Sequence, residues 1–549
     1  MPSADLVPRE AMSSTVRELL LQNADSDRPA VLFEEIRWSW REYVDRAGRT
    51  CHGMDGLLDD ERPRHVAALL DNVPEMALLL AGAGLGGFTL VGLNTTRRGD
   101  GLAGDIRRSD TQVVVTEPAY LPLLEGLDLD GVRVLDVSSD EWAALVAGDG
   151  EPPSYEPTAD DLMMLIFTSG TSGDPKAVRV TQEKVAHPGQ LLAGRFGLGP
   201  DDVCYLSMPL FHSNAVMAGW GPALAGGSAM ALARRFSASG FLADVRRYGA
   251  TYANYVGKPL TYVLATAEQP DDADNPLRLV FGNEAAERDI EAFGRRFGCT
   301  VVDSYSSTEN AVIVQRVPEM PAGSLGRPLP GVKVLDPATG DEVPTAELDA
   351  HGRLVNAEAA VGELVNTDGA GFFAGYYNDP AADAERMRGG MYWSGDLAYR
   401  DANGFVYFAG RSVEWLRVDG ENLAVAPIEQ VLHRHPDVLQ AAVYAVPDDS
   451  GVGDQVMAAL VLRPGRTFDP AGFEEFLDRQ DDLGAKSRPR HVRVSEALPQ
   501  TPTNKILKRS LKADAVTGHD DPVWSRPERG TAYSPRTPQA AADPAHPAP

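Results

Sequence analysis

Two hydrophobic rhythms alternate along this chain. From Thr15 to about Leu58, apolar residues recur at helical spacing on either side of a short stretch around Leu32 to Trp40. That pattern predicts helix, hairpin, helix. Short apolar runs follow at Val66 to Leu70, Val113 to Val115, Val132 to Val137 and Leu162 to Phe167, with helix-length segments between them. Strands alternating with helices predict α/β architecture around parallel sheet. Met76 to Leu93 is free of charge, but it contains Gly82, Gly84, Gly86, Gly87 and Gly92 and barely reaches bilayer length. A buried helix running into a core strand is expected there, not a membrane span. Pro427 to His435, Gln440 to Val446, Met457 to Leu462 and Ala471 to Arg479 alternate charged helices with valine-rich strands, the pattern of a small α+β unit. From about Thr517 the chain is rich in proline and alanine, and 517–549 is expected to be disordered for want of apolar area to bury.

Candidate chemistry begins directly after Leu162 to Phe167, with Thr168-Ser169-Gly170-Thr171-Ser172-Gly173-Asp174-Pro175-Lys176. Gly170 and Gly173 let main-chain N–H groups turn inward where a Cβ would obstruct them. Thr168, Ser169, Thr171 and Ser172 add short donors, and Lys176 adds a mobile cation. The set suits a polyphosphate. Its spacing is not the G-x-x-x-x-G-K-[ST] pattern of mononucleotide kinases.

The bulk numbers sharpen this. At 549 residues the chain exceeds one ordinary core, so two or more domains are expected. A formal charge of −28 argues against nucleic acid or an anionic membrane as partner, and obliges any polyphosphate site to gather its cations locally. Cys51, Cys204 and Cys299 show no paired spacing and read as buried thiols in a reducing cytoplasm. The N-terminus, polar through Arg9 and Glu10, lacks the features of a signal peptide. A soluble, cytoplasmic protein without integral membrane association is expected. Nothing in the sequence sets its oligomeric state, and a homodimer stays open.

The loop resembles the phosphate-binding loop of the acyl-adenylate-forming (AMP-binding) enzymes, [ST]-S-G-[ST]-[ST]-G-x-P-K, and further blocks follow in register. Pro209-Leu210-Phe211-His212 resembles a segment bordering the acid tunnel. Phe281-Gly282-Asn283-Glu284 resembles the turn over adenine. Asp303-Ser304-Tyr305-Ser306-Ser307-Thr308-Glu309 resembles Y-G-x-T-E, with Ser306 where glycine is usual. Gly375-Tyr376-Tyr377-Asn378-Asp379-Pro380 and Trp393-Ser394-Gly395-Asp396 match two more blocks, and Pro502-Thr503-Asn504-Lys505 matches the last, with Asn504 for glycine. Gly282-Asn283 and Arg417 resemble the branch of very-long-chain acyl-CoA synthetases and fatty-acid transport proteins.

The resemblance implies a large multi-subdomain N-terminal adenylating domain (1–410), a hinge (411–413) and a small mobile α+β domain (414–516). It implies ATP-, Mg²⁺- and coenzyme A-dependent activation of a small-molecule carboxylic acid, above all a fatty acid. Lys505, Thr171, Thr308, Glu309 and His212 would be catalytic. Thr168, Ser169, Gly170, Ser172, Gly173, Lys176, Gly282, Asn283, Glu284, Asp303, Ser304, Tyr305, Ser306, Ser307, Asp396, Arg411 and Arg417 would join them around the nucleotide. His212, Asn214, Val256 and Gly257 would border the acid, and Glu309 with Thr171 the metal. Three alternatives stay open on sequence: transfer to a carrier protein or an amine, activation of another oxyanion such as nitrite, and a non-catalytic descendant. Retention of Lys176, Glu309, Asp396, Arg411 and Lys505 speaks against the last.

Overall fold

The computed structural model describes residues 12–536, apart from 149, 169–174, 318, 350–353, 412–414, 419–420, 448–453, 481–482, 502–505 and 528–529. The predicted opening is present: helix Val16–Asn23, antiparallel strands Pro29–Phe33 and Ile36–Ser39, then helix Trp40–Asp55. A capping box starts the second helix, Ser39 and Glu42 each satisfying the other's main-chain N–H.

Three sheets build the large domain. The first runs in the order 300–304, 279–283, 252–256, 203–206, 229–232, 29–33, 36–39, parallel except for its last pair. The second runs 133–136, 113–116, 65–69, 89–92, 162–168, 176–181, again parallel except for its last pair. The third, assembled from strands between 314 and 411, is antiparallel throughout. The expected α/β architecture is therefore joined by an antiparallel subdomain whose short, irregular strands carry no clear period in the sequence.

Residues 76–93 form a buried helix, Pro74–Gly84, and the core strand Thr89–Gly92, as expected. Among the described residues no helix is long and apolar enough to cross a membrane. Cys51 and Cys204 are buried and Cys299 half-buried, all unpaired. Burial pushes each thiol up to about 12, so none is a ready nucleophile.

The small domain holds a sheet in the order 438–447, 454–462, 491–494, 523–525, 534–535. Its last two strands correct the expectation of disorder from Thr517. Val523–Ser525 pairs antiparallel with His491–Val494 and with Ser534–Pro535. Tyr533 is buried and donates its hydroxyl to the Pro489 carbonyl at 2.6 Å. Composition misled here because three apolar side chains, Val523, Trp524 and Tyr533, find a core already built by earlier segments.

Candidate active site

The geometry of the first sheet decides which loops meet. Asn283 pairs with Ser304, Gly282 with Asp303, Tyr255 with Gly282 and Val256 with Asn283. Neighbouring strands thus end together, and their following segments lie side by side at the carboxyl edge, where parallel sheets offer ligand sites. A Cβ on Gly282 would sit 2.2 Å from the Tyr255 carbonyl oxygen, so close strand packing demands glycine there. Gly282→Ala is expected to lose about 1–3 kcal/mol of stability through the forced backbone shift, together with nucleotide affinity, in denaturation and ATP-binding measurements.

Beneath this edge lies a buried amide network. Asn214 Nδ2 donates to the Tyr255 carbonyl at 3.0 Å and to Asn283 Oδ1 at 3.1 Å, and Asn254 Nδ2 donates to Asn214 Oδ1 at 2.7 Å. Asn283 Nδ2 donates to the Ser304 carbonyl at 2.7 Å. Gly257 N–H donates to the Asn283 carbonyl at 3.0 Å, so the expected acid-bordering residues Asn214, Val256 and Gly257 are brought against the expected nucleotide residues Asn283 and Ser304. His212 caps the short helix beginning at Ser213, its Nδ1 accepting from the Asn214 N–H at 3.4 Å. The next turn, Val216–Trp220, is π-helical and wholly buried.

Asp303 is buried beside this network, and its Oδ2 accepts from the Tyr255 hydroxyl at 2.7 Å and the Ala285 N–H at 3.0 Å. Burial outweighs both bonds and pushes the carboxyl up to about 6. Folding therefore favours the protonated acid. That contribution is complete below the unfolded value near 4 and is lost as pH rises through 6. Asp303→Asn, whose amide oxygen can accept the same two bonds, should gain little over the parent at pH 4 but about 2–3 kcal/mol at pH 8. Thermal unfolding of both proteins across that range checks it.

The Thr308-Glu309 segment is held from three sides. Thr308 and Ser213 share a hydrogen bond of 3.0 Å between hydroxyls. Tyr376 donates to Glu309 Oε1 at 2.8 Å, and desolvation raises the Tyr376 hydroxyl so that it stays a donor. Lys184 donates to the Glu309 carbonyl at 3.0 Å. Burial pushes Lys184 down to about 8, against the opposing pull of the Glu309 charge. Asn310 closes the turn with φ of 53°, its N–H donating to the Ser307 carbonyl at 3.1 Å. Lys176 is buried, not mobile: Nζ pairs with Glu385 Oε2 at 2.8 Å and lies 5.3 Å from the centre of the Tyr376 ring. That ammonium, as a hydrogen-bond donor, lowers the Glu385 carboxyl. From the third sheet, buried Asp396 accepts from the Tyr305 hydroxyl at 2.6 Å. Its main chain pairs with Arg411.

Thr168, Lys176, His212, Asn214, Val256, Gly257, Gly282, Asn283, Glu284, Asp303, Ser304, Tyr305, Ser306, Ser307, Thr308, Glu309 and Asp396 are thus described. Ser169, Gly170, Thr171, Ser172, Gly173 and Lys505 lie outside the described residues, as do Ser412 and Val413 of the expected hinge and the side chains of Arg411 and Arg417. Lys505 lies in the chain between Gln500 and Ile506, which pair with each other at the base of that segment. That base meets the large domain, where Tyr262 donates to Gln500 Oε1 at 2.8 Å and accepts from Gln440 Nε2 at 2.5 Å. Sequence reasoning missed Lys184, Ser213, Tyr376 and Glu385 as partners. Only Tyr376 lay in a recognised block; the others look like ordinary helix or turn residues until the fold brings Lys184 and Ser213 to the Thr308-Glu309 segment and Glu385 to Lys176.

The chain matches known proteins over most of its length. The AMP-binding enzyme family matches residues 21–377, and the AMP-binding enzyme C-terminal domain matches residues 427–505. The chain is 54% identical over 515 residues, 93% of its length and 98% of the relative's, to the medium/long-chain-fatty-acid–CoA ligase FadD17 of Mycobacterium tuberculosis. It is 46% identical over 527 residues to the steroid-22-oyl-CoA synthetase of Rhodococcus jostii, covering 95% and 94% of the two chains. In fold it is similar to the anthranilate CoA ligase AuaEII in complex with anthranoyl-AMP, with a TM-score of 0.79 at 22% identity over 93% of this chain and 98% of that one.

Proposed function

We propose, from the premise that the chain belongs to the AMP-binding enzyme family and is an AMP-forming acyl-CoA synthetase, that it activates a medium- or long-chain fatty acid with Mg²⁺-ATP. The observation that carries this reading is the meeting of Thr308-Glu309 with Tyr305–Asp396, on segments from separate sheets, beside the short helix that His212 caps and the buried apolar turn Val216–Trp220 that follows it. Phosphate, ribose and acyl chain each find a chemically suitable neighbour there. The substrates named for FadD17 and for the steroid-22-oyl synthetase, both largely apolar acids, support the same class.

A carboxylate resists a thiol because attack would drive charge onto oxygens already carrying it. One carboxylate oxygen therefore attacks the α-phosphorus, and the bond to pyrophosphate breaks. The mixed anhydride then yields to the CoA thiol at its acyl carbon, and AMP leaves with the oxygen that the acid supplied. Thr308, the hydroxyls and N–H groups of 168–173, and Lys505 would meet the charge that develops on the phosphates, a preorganised electrostatic effect. Asp396 would accept from the ribose hydroxyls while Tyr305 offers its ring to adenine. His212, Asn214, Val256 and Gly257 would border the acid.

The residues fit Mg²⁺. Glu309 Oε1 accepts from Tyr376, and Oε2 has no hydrogen-bond partner among the described residues. Those residues contain no grouping of three or more His, Cys, Asp or Glu able to hold a metal without the nucleotide. One carboxylate, with Thr171 as the other ligand that the family resemblance implies, would suit a cation that takes its remaining ligands from phosphates and water. Bound there, Mg²⁺ supplies Lewis-acid neutralisation of phosphate charge. The large domain is taken as 1–410, the hinge as 411–413, and the small domain as 414–536, extended beyond 516 by the two C-terminal strands.

Exchange of labelled pyrophosphate into ATP tests the substrate class. Across a chain-length series of fatty acids, a steroid side-chain acid, sulfoacetate and nitrite, exchange should be strongest with the medium and long fatty acids. Exchange confined to a polar acid or to nitrite would overturn the assignment.

A further inference from the structure

Lys184 is the one described lysine with no exposed surface, at 0%. It sits on the helix Gln182–Phe196, between core residues, and its ammonium reaches out of that helix to another segment. Its Nζ has one hydrogen-bond partner among the described residues, the main-chain carbonyl of Glu309. A buried ammonium beside a neutral carbonyl is an expensive way to satisfy one acceptor. A neutral donor would serve a purely structural need at lower cost. What distinguishes the site is the residue on the receiving end. Glu309 belongs to no helix or strand, so no ladder holds its main chain. Its carboxylate is tethered by Tyr376, which leaves its main chain as the remaining freedom, and Lys184 removes it.

We infer that Lys184 is a positioning residue for the metal-binding carboxylate: by holding the Glu309 main chain it fixes where that carboxylate presents itself to a phosphate-bound divalent cation. This rests on the reading of Glu309 as a Mg²⁺ ligand. The inference makes a prediction of unusual sign. A positive charge near a cation repels it, so charge alone would make removal of Lys184 tighten Mg²⁺. Positioning requires removal to weaken it.

The test uses the full chain with Lys184→Met, which keeps the volume and deletes the donor. Three quantities are read: the Mg²⁺ concentration giving half-maximal pyrophosphate exchange, calorimetric affinity for ATP in EDTA, and the thermal midpoint. The expected result is a half-saturating Mg²⁺ concentration raised about tenfold, the scale of one lost charge-assisted hydrogen bond. Metal-free ATP affinity should be unchanged and the thermal midpoint equal or higher, since an apolar isostere replaces a buried charge. Lys184→Gln, which retains a neutral donor, should fall between parent and Lys184→Met in Mg²⁺ dependence. An unchanged or lowered Mg²⁺ requirement, an equal loss of metal-free ATP affinity, or lowered midpoints in both variants would overturn the inference. Glu309→Gln separates the two layers. If it raises the Mg²⁺ requirement while Lys184→Met does not, positioning fails alone; if neither does, the metal-ligand reading fails as well.

Discussion

A chain ending at Asp520 is expected to lose the cooperative unfolding of its small domain. The cut removes the strands Val523–Ser525 and Ser534–Pro535, and with them Tyr533 from the core. It also removes Asp521, whose Oδ2 accepts from Arg493 Nε at 2.7 Å and from Ser495 Oγ at 2.6 Å. Arg493 is buried, and Asp514, at 3.0 Å from Nη1, would be left as its sole carboxylate partner among the described residues. Removing one of the two carboxylates around a buried guanidinium costs a part of the about 3–5 kcal/mol of a charge left wholly unpaired, and re-exposing one large aromatic costs about 1.5–3 kcal/mol more. Those losses, with two strands gone from the sheet, are a large share of an ordinary domain's stability of about 5–15 kcal/mol. A chain ending at Arg536 keeps every described contact and should unfold like the parent. Calorimetry on the two truncations decides it: equal unfolding profiles would mean that the C-terminal strands add nothing.

Lys505→Ala should split the two half-reactions. If this lysine serves only the orientation that forms the adenylate, its loss removes a donor from the first transition state and from no later one. Pyrophosphate exchange should fall about 10²–10³-fold, equivalent to about 3–4 kcal/mol. Supplied acyl-adenylate and CoA should still give acyl-CoA at near the parent rate. Arg509→Ala is the fitting control, because Arg509 is exposed. Lys508 is not, since its Nζ pairs with Glu429 Oε1 at 3.0 Å and the exchange of an ion pair for a cavity would confuse the comparison. Equal damage to both half-reactions by Lys505→Ala would refute a lysine used in one orientation only.

Much of this architecture was legible because each cue was local. The alternation of Val66 to Leu70, Val113 to Val115 and Leu162 to Phe167 with helical spacing foretold the second parallel sheet, in which the first two strands pair directly and the third joins them through Thr89–Gly92. Asp303 to Glu309 announced itself by order and residue type, and the strand Thr300–Ser304 delivers it to a sheet edge. What could not be read was long-range. Lys184 lies 125 positions from its partner, and Lys176 lies 209 positions from Glu385. Burial turned a lysine expected to swing freely into a fixed ion pair. The proline-rich ending failed as a guide for the same reason, because Tyr533 is ordered by a core that its own neighbours did not build.

The central claim is that this site joins the acid to AMP before the thiol arrives, and oxygen bookkeeping tests it most directly. The acid, labelled with ¹⁸O in its carboxylate, is turned over with ATP, Mg²⁺ and CoA, and the released AMP is weighed by mass spectrometry. Attack of the carboxylate on the α-phosphorus predicts one labelled oxygen in each AMP. AMP without label would contradict the adenylate and, with it, the roles given to Thr308, Glu309 and Lys505.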